Sequence, residues 1–235
     1  MSFTIEPIGI VHSPFKEKFG VPRQPGLVNI SSQIEILSPF NQAEAFKGLE
    51  SFSHIWVTFI FHQAQQEQWR TTVRPPRLGG NKKIGVFASR SPFRPNSLGL
   101  SVAALESLDA SGSRIMLNLQ GLDLIDQTPV VDIKPYIPYV DSVPDASEGF
   151  AVGAPEARMQ VIFSPQAEKQ LQGIVDESLR QMIVEVLSYD VRPAYQEGEA
   201  GRVYGMRFSS YDIQWQVNGE SVSVISITSL NQSVS

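Results

Sequence analysis

The sequence predicts a mainly β protein, with a β-rich domain followed by a smaller α+β domain. Three observations carry that reading. Short apolar runs with period-two alternation recur between turn residues, one stretch late in the chain has helical period, and Asn218-Gly219 separates two alternating runs. Many short strands and few helices make the first domain a barrel or a sandwich.

Taken in order, residues 3–12 are apolar at alternate positions, and 28–37 contain the alternation Ile34-Glu35-Ile36. A short helix is expected over 42–49, with Asn41 as its N-cap. Residues 55–61 form a near-continuous apolar run, which reads as a strand buried on both faces. Strands over 84–89, 100–108 and 114–119 follow, the last two joined by the turn-forming Asp109-Ala110-Ser111-Gly112-Ser113, and 129–136 is a further β-branched run. A proline-containing stretch without period then marks a linker or surface loop. Ser164-Pro165 supplies an N-cap with proline at the first helical position. Leu171, Ile174, Leu179, Met182, Ile183, Val186 and Leu187 then recur at helical steps, so one amphipathic helix is expected over 166–187. A loop over 190–201 leads into three strands, of which 212–217 and 221–228 form the hairpin. The expected domains are 1–137, β-rich; 138–163, linker; and 164–235, small α+β.

Composition excludes several function classes. Apolar residues make up 42% of the 235 and charged ones 18%, which rules out a disordered tail. Cysteine is absent, so disulfide scaffolds, thiolate nucleophiles, iron–sulfur clusters and cysteine zinc sites are excluded together. No run approaches the length of a membrane span, and residues 1–6 lack the basic-then-apolar pattern of a signal peptide; a soluble protein is expected. Net charge is −5, yet between Glu67 and Glu106 there is no acidic residue while Arg70, Arg74, Arg77, Lys82, Lys83, Arg90 and Arg94 all fall there. A cationic segment on an acidic chain is a candidate nucleic-acid contact, or a solvated surface.

The common nucleotide fingerprints are missing, no G-x-S-x-G elbow occurs, and the three histidines are too widely spaced for a metal set. Six other segments stand out. In Pro22-Arg23-Gln24-Pro25-Gly26, two prolines fix the backbone beneath an arginine and a glutamine. His62-Gln63 closes an apolar strand, where polar heads often face a ligand cleft. Arg74-Pro75-Pro76-Arg77-Leu78-Gly79-Gly80-Asn81 leads into Lys82-Lys83, where the Gly-Gly-Asn turn either lets backbone amides approach a phosphate or simply carries exposed lysines. Arg90-Ser91-Pro92-Phe93-Arg94-Pro95-Asn96 offers two arginines around a phenyl ring able to stack on a base. Leu122–Pro129 places carboxylates at a turn, and Asp190-Val191-Arg192-Pro193-Ala194-Tyr195 sets an acid, a guanidinium and a phenol in one loop, as a substrate clamp or as a self-satisfied ion pair. These residues alone also suit an RNA-binding barrel without a cofactor, or a small-molecule-sensing or interaction module.

In this order, with the fourth widened to Gly85–Gly99 and the fifth to Leu122–Tyr136, the six segments resemble the TrmO-type tRNA methyltransferases, the class VIII β-barrel enzymes that use S-adenosyl-L-methionine, and the likeness spans nearly the whole chain. The resemblance implies a β-barrel first domain and N6-methylation of threonylcarbamoyladenosine at position 37, in the anticodon loop of threonine tRNA. It further implies a homodimer, and the absence of cysteine suits a cytoplasmic protein. By the same resemblance the cofactor contacts fall on Arg23, Gln24, Pro25, His62, Gln63, Arg90, Leu100, Asp126, Gln127, Thr128 and Pro129. Val191 departs from the family pattern, which has proline after the aspartate. Methyl transfer from a sulfonium needs positioning and dryness more than a metal, and the leaving N6 proton needs a base within reach. Asp190 and Tyr195 are the candidate bases, beside self-assistance by the substrate. Arg70, Arg74, Arg77, Lys82, Lys83 and Arg94 are the candidate RNA contacts, with Arg192 facing a carboxylate or phosphate of the target.

Overall fold

Alternating apolar side chains close six antiparallel strands into a barrel. The structure, a computed structural model, describes residues 2–64, 68–110, 112–174, 176, 178–192 and 201–230. In chain order the first unit contains β1 (Gly9–His12), β2 (Ser31–Ile36), β3 (His54–Ile60), β4 (Thr72–Val73), β5 (Ile84–Gly85), β6 (Leu98–Asp109), β7 (Met116–Gln120), β8 (Pro129–Pro135) and the short α1 (Pro138–Asp141). The barrel order is β1-β2-β7-β6-β3-β8, and β8 closes on β1 with Gly9 opposite Val130. Val11, Ile34, Ile55, Val57, Leu117, Leu119 and Val130 fill the interior with no solvent exposure.

β3 is not buried on both faces, as its apolar run suggested. Ile55, Val57 and Phe59 point inward, whereas Trp56, Thr58 and Ile60 are only half-buried. Gly99 is required beside this strand, because a Cβ there would run into the Phe59 ring. The helix expected over 42–49 is instead two 3₁₀ turns, Ala43–Phe46 and Leu49–Ser51. Asn41 caps neither; its side-chain amide donates to the Ser113 carbonyl. Gly48 at φ 90° breaks the run between the turns. The strand expected over 84–89 stops at Gly85 and turns into the 3₁₀ segment Val86–Ala88.

The second unit comprises β9 (Gln160–Phe163), α2 (Pro165–Gln172), α3 (Ser178–Ser188), β10 (Val203–Phe208), β11 (Tyr211–Asn218) and β12 (Ser221–Ser229). Its sheet runs β10-β11-β12-β9, with β9 parallel to β12. Ser164 Oγ accepts from the Ala167 amide, the expected cap. The single helix expected over 166–187 is two helices. α2 ends at Gly173, and Asp176 Oδ1 begins a new helix by accepting from the Ser178 amide at 3.0 Å. The apolar period runs through this break because both helices lay one face on the same core.

That core also takes residues from the loop after β1. Phe15 meets Phe208 edge-on at 5.5 Å, Phe19 stacks on Trp215 at 5.6 Å, and Val28 and Ile30 pack with Leu179 and Ile183. The loop over 13–30 is therefore held by both units, which determines where Pro22–Gly26 can lie. Among the described residues no helix is long and apolar enough to cross a membrane.

Candidate active site

A cleft of about 740 Å³ opens where β3 and β6 meet the loops over 18–25 and 89–94. Its apolar wall follows from strand register: Thr58 pairs with Leu100 and Ile60 with Leu98, which sets Trp56, Thr58, Ile60, Leu98 and Leu100 on the outer surface of the barrel. The loop carrying Arg23 forms the opposite side. It is anchored by the Gly26 amide on the Gly121 carbonyl at 2.8 Å and by Arg23 Nη2 on the Arg192 carbonyl at 2.8 Å. Gly121 needs both its positive φ of 75° and its lack of a Cβ, which would stand 3.3 Å from the Gly26 Cα.

Arg90 reaches across and donates from Nη1 to the Gln24 side-chain oxygen, joining the two loops. Arg94 shapes its own loop, donating to the carbonyls of Ser89 at 2.7 Å and Val86 at 3.3 Å. Phe93 has the Arg70 guanidinium 4.3 Å from its ring centroid, so one face of the ring is occupied and the expected base stacking there is half blocked. His62 is partly withdrawn from water. Burial pushes its pKa below the ordinary imidazole value and the Lys18 charge adds to this, against a hydrogen bond to the Ile60 backbone. The ring is therefore neutral at physiological pH. Lys18 Nζ in turn donates to the Gln63 carbonyl at 3.0 Å.

Arg23, Gln24, Pro25, His62, Gln63, Arg90, Leu100 and Thr128 come together on this cleft, and Arg94 joins them. Asp126, Gln127 and Pro129 do not line it. Asp126 Oδ1 accepts from the Ser13 amide at 3.0 Å, and its other oxygen pairs with Lys16 at 2.9 Å. Gln127, at φ 64°, is exposed and donates its amide to Val11, and Pro129 stands opposite Ile10 in the barrel seam. Asp126 instead lines a second cavity of about 800 Å³ between the barrel and α3. That cavity is walled mostly by polar residues such as Ser31, Gln33, Asn118 and Glu185, with Pro14 and Met182 its only apolar side chains among the described residues, so it offers a purine less apolar surface than the cleft.

Asp190 and Arg192 engage each other rather than the cleft. Asp190 Oδ1 and Oδ2 accept from Arg192 Nε and Nη2, each at 2.8 Å, and both side chains are about nine-tenths buried. Burial works to raise the Asp190 pKa, but the hydrogen bonds and charge of Arg192, with Arg158 farther off, outweigh it and hold the carboxyl below its usual range. A carboxylate so held is a poor proton acceptor, and a guanidinium so spent is not available to a ligand. Tyr195 lies outside the described residues. Arg70, Arg74, Arg77, Lys82 and Lys83 are exposed on the excursion between β3 and β6, where Arg77 donates to the Gly153 carbonyl at 2.7 Å.

Sequence reasoning missed Trp56, Thr58, Ser101 and Asp123 as cleft residues. Reading β3 as half-buried would have exposed the first two.

The family model for the tRNA-methyltransferase O N-terminal domain matches residues 10–142, and that for the TrmO C-terminal domain matches 156–230. The chain belongs to the tRNA-methyltransferase O family. A tRNA (adenine(37)-N6)-methyltransferase of Escherichia coli (strain K12) is 47% identical over 230 residues, covering 96% of this chain and 98% of the relative. A Pseudomonas aeruginosa relative, also 47% identical over 220 residues (92% of this chain, 93% of its own), carries a name that assigns it provisionally to the S-adenosylmethionine-dependent methyltransferases. The crystal structure of TrmO from Pseudomonas aeruginosa superposes with a TM-score of 0.77 at 37% identity, over 97% of this chain and all of that one. The barrel and the α+β unit are thus the TrmO fold.

The chemistry of the cleft fits the methyl donor named for that relative. The volume falls inside the roughly 300–1,000 Å³ span of small-ligand pockets. Trp56, Leu98 and Leu100 offer apolar surface to a purine, and Arg23 and Arg90 offer cations to a carboxylate.

Proposed function

We propose that this chain transfers a methyl group from S-adenosylmethionine to N6 of adenosine 37 in tRNA, and that its target is the threonylcarbamoyl-bearing adenosine in the anticodon loop of threonine tRNA. The observation that carries the reading is the cleft itself, an apolar wall faced by rigidly held arginines in a chain of the TrmO family. A cofactor-free RNA-binding barrel has no use for that combination.

S-adenosylmethionine supplies an electrophilic methyl group, so the protein's work is alignment and exclusion of water. Pro22 and Pro25 stiffen the loop that presents Arg23 and Gln24, and the Gln24–Arg90 contact closes the cleft over its apolar wall. The exposed Arg70, Arg74, Arg77, Lys82 and Lys83 meet RNA phosphates, which orient the anticodon loop toward the cleft. His62, neutral and inside the cleft, accepts the N6 proton; Tyr195 is the second proposed acceptor. The Asp190–Arg192 fork positions Arg23 through the Arg192 carbonyl. The working form is a cytoplasmic homodimer, and exposed Tyr139, Val140 and Val143 give it an apolar patch for self-association.

Nucleoside mass spectrometry of threonine tRNA, with and without its threonylcarbamoyl group, tests the reading. One methyl group should appear on the modified adenosine, only with protein and S-adenosylmethionine both present. Methylation of unmodified adenosine 37 instead, or none at all, would overturn the substrate assignment.

A further inference from the structure

We infer that the Asp123 carboxylate is the counter-charge to the sulfonium of S-adenosylmethionine, an inference that rests on the cofactor binding in this cleft. Among the described residues that line the cleft, Asp123 is the only acidic one, while Lys18, Arg23, Arg90 and Arg94 are all cationic. Such a wall attracts the amino-acid carboxylate of the ligand and repels its sulfonium. A cationic ligand needs one anion there, and one is built in.

The position is costly to maintain without a ligand. Leu122 and Leu124 on either side are buried in the barrel core, at 2% and 4% exposure, and fix the backbone of Asp123 between them. Oδ1 accepts from Ser101 Oγ at 2.7 Å, and Ser101 is itself buried. Burial pushes the Asp123 pKa up; Ser101, the residue's own amide and the Arg90 charge offset this only in part. A desolvated carboxylate short of compensation is a mark of a functional position. An ammonium would require an acceptor for each of its N–H groups, and among the described residues lining the cleft Asp123 is the only carboxylate to supply one. A sulfonium donates no hydrogen bond and asks only for negative charge nearby. Once the methyl group has left, the thioether is neutral, so the same carboxylate favours the methyl donor over its product, S-adenosylhomocysteine.

Calorimetric titration of S-adenosylmethionine and S-adenosylhomocysteine into the full chain, the Asp123→Asn variant and the Arg90→Ala variant tests this. Asp123→Asn should weaken S-adenosylmethionine by roughly tenfold or more, the scale of one lost charge contact in a half-screened site. Its affinity for S-adenosylhomocysteine should hold within about threefold on the same scale. Equal losses for both ligands, or no loss, overturn the inference. If Arg90→Ala weakens both ligands while Asp123→Asn has no selective effect, only the inference fails. If neither variant changes either ligand, the cofactor binds elsewhere and the cleft reading fails with it. A measurement that needs no Asp123 variant uses a His62→Gln background, which removes the only imidazole among the described residues lining the cleft, while Lys18, Arg23, Arg90 and Arg94 stay charged on acidification. There the preference for the sulfonium over the thioether should fall as Asp123 becomes protonated on acidification. A preference independent of pH overturns the inference as well.

Discussion

Arg23 Nη2 donates to the main-chain carbonyl oxygen of Arg192 at 2.8 Å, across 169 residues of sequence. The contact ties the loop on one side of the cleft to the segment that follows α3, and the acceptor is backbone rather than side chain. What holds that carbonyl in place is local. Asp190, at φ 47°, turns the chain and locks the Arg192 guanidinium in its two-point fork. The C-terminal unit thereby contributes to the cleft without lining it.

Asp190→Ala should damage stability and cofactor affinity together. Removing one partner of a buried ion pair leaves an uncompensated charge and costs about 3–5 kcal/mol. Thermal melts should show that loss, and S-adenosylmethionine should bind more weakly as Arg23 loses its fixed acceptor. Lost turnover with unchanged melting and affinity would instead make Asp190 a proton acceptor.

Asp190 and Asp123 give opposite pH signatures. The Asp190 pKa is depressed, so its contribution is full above the ordinary carboxylate value of 3.8 and is lost as pH falls through the lower folded value. The Asp123 pKa is raised, so its form of stability is present below 3.8 and is lost as pH climbs through the folded value. At neutral pH Asp123→Asn should therefore melt no lower than the parent chain. Urea titrations of both proteins at acidic and neutral pH check this, and a lower midpoint for Asp123→Asn at neutral pH contradicts it.

Reversing the charges of Arg74, Lys82 and Lys83 together should raise the Michaelis constant for tRNA. The log–log salt slope should shrink by about one unit per lost phosphate contact. S-adenosylmethionine affinity should barely move, since none of the three lines the cleft. An unchanged slope would show that these charges only solvate the surface.

His62 titrates below the ordinary imidazole value of 6.5. As a proton acceptor it gives kcat/KM an acid limb with a midpoint under 6.5, which His62→Gln should abolish along with a fall in kcat of roughly 10²–10⁴-fold. If His62→Gln raises only the Michaelis constant for the cofactor and keeps the limb, its role is binding.

Much of this architecture is legible from sequence, because strands advertise themselves by alternation. Ile34-Glu35-Ile36 reads directly as two core positions around a surface one, and the hairpin at Gly219 follows from its turn chemistry, with the turn one residue later than Asn218-Gly219 suggests. The helix break at Gly173 is hidden because α2 and α3 share one buried face, so the apolar spacing survives the interruption. The cleft residues on loops are legible because short polar motifs mark them, and contacts such as Arg90 to Gln24 bring them together. What spacing cannot tell is which way a side chain turns. Asp123 and Asp126 sit three residues apart in one turn, yet one faces Ser101 in the cleft and the other Lys16 on the far side. Asp190 and Arg192 read in sequence as two ligand groups or as one ion pair, and only the structure decides for the pair.

Amide hydrogen exchange, read by mass spectrometry with and without saturating S-adenosylmethionine, tests the placement of the cofactor most directly, because the two cavities are built from different segments. Binding in the cleft should slow exchange over residues 18–25, 56–64, 89–101 and 123–125. Slowing confined to residues 12–16, 29–33 and 178–185, with the first set unchanged, would place the ligand between the barrel and α3 and contradict the account.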